Sequence, residues 1–331
     1  MIIFSAATAG SNRQKLESEV VKLSERSGKK LKIINFIEEM LKSARNFEKY
    51  INSSTLPNLD IKTLELLKIS AFHAIEDEIK ENPDTDYLID GHMTFWWKNG
   101  PLSLINVNDF KKFTPDFIVT ITTSPNSVFN DLQRKKEWMD KTVDVYEIAI
   151  WSEVEIYTAD LIGHALNIKN YIMGADEDPR TFYDLIYNRK KIKIYASFAM
   201  EHRKENYEKL DSFLNKLRKY AIVFDPKSID IGVYKQAEAD ERMRTLVFNQ
   251  TVRRDYRLID QSDAVVIHLS DLVYSSGVDS ERMHAHTTGK KVLLYFPFEK
   301  YSPFTPYFVD NMFKNEDDLL KEIKKMGLSL K

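Results

Sequence analysis

Two carboxylates in the last third of the chain stand where the local sequence would bring them to one crevice. An apolar run ending at Leu269-Ser270 reads as a strand, and it feeds a turn containing Ser275, Ser276 and Gly277. A helix is expected to begin near Asp279, with Glu281 in its first turn. In open α/β sheets, ligands sit outside the carboxyl ends of strands, at turns of this kind. The N–H groups of a helix start also favour a phosphate or another anion. Glu281 would point into that crevice, and Asp255, from the preceding helix, could meet it there. Two carboxylates flanking one sugar are what glycosidic cleavage needs: one attacks the anomeric carbon, the other protonates or steers the leaving group. Both also have ordinary readings, Glu281 as an acid favoured by the helix dipole and Asp255 as a helix-face partner of a neighbouring arginine.

A second candidate lies at the other end of the chain. Ala6-Ala7-Thr8-Ala9-Gly10-Ser11-Asn12-Arg13 falls between a first strand and a first helix, the place of a phosphate loop. A working loop reads G-x-x-x-x-G-K-[ST], with backbone N–H groups cradling phosphates, lysine reaching the β/γ oxygens and a hydroxyl holding Mg²⁺. Here Ala6 and Ser11 replace the glycines, Asn12 the lysine and Arg13 the hydroxyl. A Cβ at Ala6 and Ser11 crowds a tight loop, and the lost lysine and hydroxyl remove charge stabilisation and a metal contact. Arg13 or Lys15 could still meet a phosphate as a point charge. ATP and Mg²⁺ are therefore expected only if this half is active, and a scaffolding, dimerising or ligand-sensing fold is the favoured reading. Asp90 is either a relic metal or base position or a solvated strand-end carboxylate. Phe95-Trp96-Trp97 either stacks on a base or packs an interface.

Other residues carry weaker signals. His284 and His286, two apart on a helix, would face different ways, so no metal site is expected. Arg253 and Arg254 could bind phosphate, although adjacent helix-face arginines are usually solvated. Asp260 and Asp263 bracket a helix end, where turn and capping roles are common.

The elements that would position these residues alternate in the pattern of parallel sheets covered by helices. Strands are expected over 1–4, 31–34, 87–90, 117–122 and 171–173. Helices are expected over 12–25, 61–81, 143–166 and 178–187, with another opening at Ser124-Pro125. After the basic stretch Asn188-Arg189-Lys190-Lys191 the pattern restarts. Strands are then expected over 192–196, 221–224, 264–269 and 292–296, and helices over 201–220, 238–259, 279–288 and 316–325. The fold class is therefore α/β in two domains, 1–190 and 191–331. With 331 residues the chain has room for both.

Composition narrows the partners. The 48 basic and 50 acidic residues nearly cancel, which argues against extended nucleic-acid binding. Having no cysteine, the chain has neither disulfides nor thiolate metal ligands. Neither a signal-peptide pattern nor a membrane-length apolar run is found, so a cytoplasmic protein is expected.

Motif order adds two resemblances. Over most of residues 1–187 the layout resembles the archaeal type of adenylate kinase, a P-loop fold. Leu88-Ile89-Asp90-Gly91-His92 resembles that family's strand-end Asp-Thr-His, and Pro115-Asp116-Phe117-Ile118-Val119 its Pro-Asp-Ile-Ile-Val strand. Arg134-Lys135-Lys136 falls near its lid arginines. Over about 192–298 the chain resembles the nucleoside 2-deoxyribosyltransferase family, including its deoxynucleoside-monophosphate N-glycosidase branch. The resemblance rests on Arg254-Asp255 before a helix ending Asp260-Gln261-Ser262-Asp263, on Ser275-Ser276-Gly277-Val278-Asp279-Ser280-Glu281, and on Gly289-Lys290-Lys291-Val292.

This second resemblance implies a Rossmann/flavodoxin-like domain with Glu281 as a nucleophile forming a glycosyl-enzyme. Asp255 would handle the base's proton or hold the sugar, and no cofactor would be required. Ser275 stands where the transferases carry aspartate and the nucleotide hydrolases serine, which favours a 5′-monophosphate. Tyr195 and Ser197, at the end of the domain's first strand, would line the substrate pocket with Ser275, Ser276 and Gly277. The sequence departs from the family at Asp279, where a glycine is usual, and in 194–200, which lacks the family's glycine loop. A homo-oligomer is expected, and the loop Tyr301-Ser302-Pro303-Phe304 could complete a neighbour's pocket. The expected ligand is a nucleoside or nucleotide. Its glycosidic bond would be hydrolysed or exchanged; the alternatives are a non-catalytic nucleotide sensor and an ATP-dependent nucleotide kinase.

Overall fold

The computed structural model describes residues 1–47, 51–135, 138, 143–199, 207–229, 241–271 and 274–329. The chain forms two compact units, Met1–Asp176 with Ile229–Phe248, and Glu177–Ser228 with Asn249–Lys331. Lys136, Met200 and the expected helix starts at 201 and 238 lie outside the described residues.

In the first unit the elements run β1 (Ile2–Ala6), α1 (Arg13–Arg26), β2 (Leu31–Asn35), α2 (Phe36–Phe47), α3 (Ile61–Glu81) and β3 (Asp86–Gly91). A hairpin, β4 (Thr94–Trp97) and β5 (Gly100–Ser103), follows with α4 (Val107–Phe110), β6 (Phe117–Thr122), α5 (Pro125–Leu132), α6 (Val145–Leu166) and β7 (Asn170–Gly174). Five strands form a parallel sheet in the order β2-β3-β1-β6-β7. Their near-continuous apolar runs suit strands covered on both faces. Capping fixes the helix starts: Asp60 accepts from the N–H groups of Lys62 and Thr63 before α3, and Asp144 forms a capping box with Glu147 before α6. The core gathers Phe4, Phe36, Phe72 and Phe110. The pairs Phe4–Phe110 and Phe36–Phe72 meet edge-on at 4.9 Å, each contributing about 0.5–1.5 kcal/mol beyond area burial.

The second unit runs α7 (Pro179–Tyr187), β8 (Ile192–Ser197), α8 (Tyr207–Leu217), β9 (Ala221–Phe224) and α9 (Glu241–Asp260), the last grouping here from Asn249 onward. It continues with β10 (Ala264–His268), α10 (Ser276–Thr287), β11 (Lys291–Tyr295), β12 (Asn311–Phe313) and α11 (Glu316–Ser329). Its strands form a parallel sheet in the order β12-β11-β10-β8-β9. Counted by appearance, this is the flavodoxin-like order 2-1-3-4-5, whose topological switch point lies between β8 and β10. The helix α7 belongs to this unit, and Thr181 donates from Oγ1 to the carbonyl of Val223 on β9 at 3.1 Å.

Both sheets share a device at their amino-terminal edges. An aspartate just before a strand exchanges two hydrogen bonds with the first part of its neighbour. Asp116 donates its N–H to Ile2 O (2.7 Å), and its Oδ2 accepts from Ile2 N–H (2.8 Å). Asp263 does the same with Lys193 (2.8 and 2.8 Å), and Asp310 with Val292 (2.9 and 2.7 Å). These bonds satisfy edge N–H groups that have no ladder partner. They also give Asp263 its role.

Candidate active site

The helix carrying Glu281 starts earlier than the sequence suggests. Ser275 is its N-cap, accepting on Oγ from Val278 N–H at 3.4 Å, so α10 begins at Ser276 and Glu281 falls in the second turn. The reading of Glu281 as a first-turn acid favoured by the dipole is thereby corrected, since that effect fades beyond the first turn. Asp279, in the first turns of the helix, pairs with Arg282 at 2.7 Å.

Glu281 lies at the carboxyl end of β8. Tyr195 donates its hydroxyl to Oε1 at 2.9 Å and Ser197 donates to Oε2 at 2.5 Å. Alternate strand residues share a sheet face, which is why Tyr195 and Ser197 reach the same carboxyl group. Burial, with the negative charge of Asp255 beside it, pushes Glu281 up to about 8 against the two hydroxyl donors and Arg254, which oppose the rise. The Tyr195 phenol is driven well above its usual range by burial and by Glu281, so it remains a donor.

Asp255 approaches from α9. Arg254 Nε and Nη2 both contact its Oδ1, at 2.9 and 2.8 Å. Burial nevertheless raises its carboxyl, with Arg254 pulling the other way. Arg254 is itself buried, so the expectation of a solvated helix-face arginine is corrected. Next along α9, Tyr256 meets Ser280 Oγ at 2.6 Å and stacks on His284 at 4.0 Å, while His284 contacts Asp260 Oδ1 at 2.8 Å. These contacts fix α9 against α10 and so set Asp255 relative to Glu281. His286 turns to Phe308 instead. Among the described residues, no three His, Cys, Asp or Glu side chains gather as a metal-holding group.

Of the other expected site residues, Ser275 lines a cleft of about 750 Å³ beside α10. Ser276 and Gly277 lie exposed on the helix's first turn, outside the cleft's lining.

The first unit's phosphate-loop position is closed. Ala6, Ala7, Thr8, Gly10, Ser11 and Arg13 are buried. Gly10 (φ 83°) and Asn12 (φ 60°) take the left-handed conformation that glycine and asparagine tolerate best. Ala9 packs on a cluster containing Trp96, Trp138 and Trp151. Trp96 is therefore a core residue, which corrects both readings of the Phe95-Trp96-Trp97 run as base stack or interface. The Arg13 guanidinium turns inward to pair with Asp90, and lies 3.8 Å from Glu17. Asn35 donates to Asp90 Oδ2 at 2.9 Å. Arg13, Asp90 and Glu17 are each no more than 2 % exposed, so neither the phosphate-facing Arg13 nor the solvated Asp90 is found. Lys15 is exposed on α1. Burial raises Glu17 to about 7, and burial together with Arg13 lowers His92, whose Nδ1 contacts Ala7 O, to about 4.

With this geometry in view, the chain can be set beside known proteins. A profile of the family described as "AAA domain" matches residues 18–148. The match begins after the altered loop and covers less than half of the chain. The first unit is P-loop kinase-like. No curated protein sequence matches the chain. A conserved protein from Enterococcus faecalis V583 is 20% identical, with a TM-score of 0.33, over 41% of this chain and 99% of its own. A 2-deoxyribosyltransferase from Bacillus psychrosaccharolyticus is 19% identical, with a TM-score of 0.31, over 39% and 90%. The CMP N-glycosidase BcmB from Clostridium botulinum is 20% identical, with a TM-score of 0.26, over 40% and 97%.

No helix among the described residues is long and apolar enough to cross a membrane.

Proposed function

We propose that the second unit cleaves or exchanges the N-glycosidic bond of a nucleoside or its 5′-monophosphate, with Glu281 as nucleophile. The observation that carries this reading is Glu281 at the switch point of the sheet, held by Tyr195 and Ser197 and close enough to Asp255 to feel its charge. In the first step a carboxylate oxygen of Glu281 bonds to the anomeric carbon while the C–N bond breaks and its electron pair leaves with the base. The base takes a proton, which Asp255 can supply. Water or a second base then attacks the anomeric carbon, gives up its proton to Asp255 and releases Glu281. On Asp255, Arg254 contacts Oδ1 through two nitrogens, so Oδ2 is the oxygen suited to carry that proton. The reactive form holds one proton between the two acids, with Glu281 ionised and Asp255 protonated, so kcat/KM falls as pH rises through about 8, where the pair loses that proton.

The test is incubation of the purified protein with nucleosides and 5′-monophosphates, read by chromatography for free base. Base release should fall about 10³-fold or more in Glu281→Gln, with substrate still shifting the melting temperature. Base release that persists in that variant removes the nucleophile assignment. Ser275→Asp should move preference from monophosphates towards nucleosides by charge repulsion. For the first unit we infer a scaffold that transfers no phosphoryl group, supported by the inward Arg13 and the packed loop. Mg²⁺-dependent ATP consumption with a nucleoside monophosphate would overturn that part.

A further inference from the structure

The long helix α6 of the first unit is apolar on both faces. Its inner face, with Ile148, Trp151, Ile156, Ala159 and Ile162, is buried. On its outer face Ile150, Tyr157 and Leu161 are 37%, 58% and 50% exposed, and Val154 among them is half-buried. A helix that covers a sheet ordinarily turns a polar face to water, whereas one apolar all round is a buried helix. The 22 residues of α6 include no lysine or arginine, so no long basic side chain of its own lies over the stripe. Spacings of four, three and four residues set Ile150, Val154, Tyr157 and Leu161 in one seam, with the period of helix–helix pairing.

The seam complements itself when reversed about a point between Val154 and Tyr157. A second copy laid antiparallel across it, at the crossing of about 20° that such ridges favour, sets Val154 against Tyr157 of the partner subunit. The same placement sets Ile150 against Leu161 of the partner subunit. The smaller side chain thus meets the ring, and the twofold axis repeats each pair, giving an isologous contact. The ends match as well. Glu147 extends the seam three residues before Ile150, and exposed His164 extends it three residues after Leu161. Glu147 spends Oε2 on the N–H of Asp144, which leaves Oε1 to accept from a ring N–H of the partner's His164. The acidic start of α6, Asp144 and Glu147, then lies against the end that carries His164 and exposed Lys169. A parallel pair would set two acidic starts side by side, which like-charge repulsion opposes. Asp160, which borders the seam, is drawn to the β7 side, where Asn170 donates to it at 2.8 Å.

We propose that two copies of this chain pair through the outer face of α6, antiparallel, across a twofold axis between Val154 and Tyr157. The proposal does not rest on the glycosidic reading, because it is tested by mass and not by activity. Sedimentation equilibrium of the full chain should show self-association. Tyr157→Lys and Leu161→Lys should each weaken it about thirtyfold or more, the loss that marks a central interface position. Both side chains are exposed in the single chain, so neither substitution should lower the melting temperature appreciably. Leu66→Lys, at a 65% exposed position on α3, should leave the association intact. If the second unit also self-associates, the α6 variants halve the mass of the assembly; if it does not, they yield single chains. Disulfide trapping reads the orientation, and the cysteine-free chain gives it no background. A mixture of Ile150→Cys and Leu161→Cys proteins should cross-link on oxidation. Neither alone should do so, since identical thiols would stand about 16 Å apart along the pair, beyond disulfide reach. A parent that sediments as a single chain at about 100 μM, or association untouched by both lysine substitutions, overturns the proposal. So does a mixture that cross-links no better than either cysteine variant alone.

Discussion

Behind β1 and behind β8 the molecule places similar charges, one arginine and two carboxyl groups. In the first unit Arg13 pairs with Asp90 and lies near Glu17, and all three are sealed from solvent. In the second, Arg254 contacts Asp255, and Glu281 is held by two hydroxyls and remains half-buried. The charge inventory is the same, but the access differs. A cation placed between both carboxylates is sealed in with them, away from any ligand. A cation set against one carboxylate, with hydroxyls on the other, leaves that other acid a proton to lose and a route to a ligand. Burial raises one acid in each cluster, Glu17 to about 7 and Glu281 to about 8, so a raised carboxyl does not by itself mark chemistry. What distinguishes Glu281 is its place at a switch point with a half-open side.

Four measurements would break or sharpen this contrast. The largest effect is expected from Arg13→Met. Removing one partner of a buried charge cluster should cost about 3–5 kcal/mol, read by urea unfolding, and Asp90→Asn added to it should recover much of the loss. A mild effect would mean that the first cluster is open after all.

Glu281→Gln should act in the opposite direction. The folded protein keeps the Glu281 proton up to about 8, whereas the unfolded chain releases it near 4.5. Between these values the native state binds more protons, so this group's contribution to stability falls as pH rises through that window. The Gln variant, which has no proton to lose, should therefore match the parent at pH 4 and exceed it at pH 9 by about 1–3 kcal/mol. Equal stability at both pH values would show that Glu281 ionises as an ordinary surface acid.

Tyr195→Phe removes one donor to the Glu281 carboxylate. The alkaline fall of kcat/KM should then move up by about one pH unit, and an unmoved profile would assign the limb to another group. The smallest effect belongs to Ser275→Ala, which loses the α10 cap and about 1 kcal/mol. A change in monophosphate preference without that loss would mean that Ser275 serves the ligand alone.

Much of the scaffold was legible because long apolar runs and strong caps coincide. Strands 117–122 and 221–224 agree with β6 and β9 residue for residue, and helix 61–81 with α3. The helix α2 was missed because it follows β2 without an intervening turn, with Asn35 both ending the strand and accepting from Glu38 N–H at 3.0 Å. The β4–β5 hairpin was missed although Asn99-Gly100 is a hairpin signal. The flanking aromatics drew attention to stacking instead, and Lys98 (φ 53°) supplies the left-handed residue. In the site, the Glu281–Asp255 approach followed from strand–helix order, but Arg254 could not be told from Arg253 by type. Its spacing was the usable clue: it lies seven residues after buried Val247 and four before buried Leu258. The reversal of Arg13 had no such clue, since the sequence does not show whether a loop-end arginine faces a ligand or the core.

The paired bonds of Asp116, Asp263 and Asp310 hold the strand registers at one rim of each sheet, away from the loops that follow the opposite rim. Such an arrangement separates what must be kept from what is free to change over descent. Substitutions accumulating beyond the carboxyl ends of the strands need not loosen the alignment of the sheet. A phosphate loop could then lose its glycines and lysine stepwise while the strand that precedes it stayed in place. The same tolerance would let new loops be tried beside β10 and β11 without first inventing a new fold.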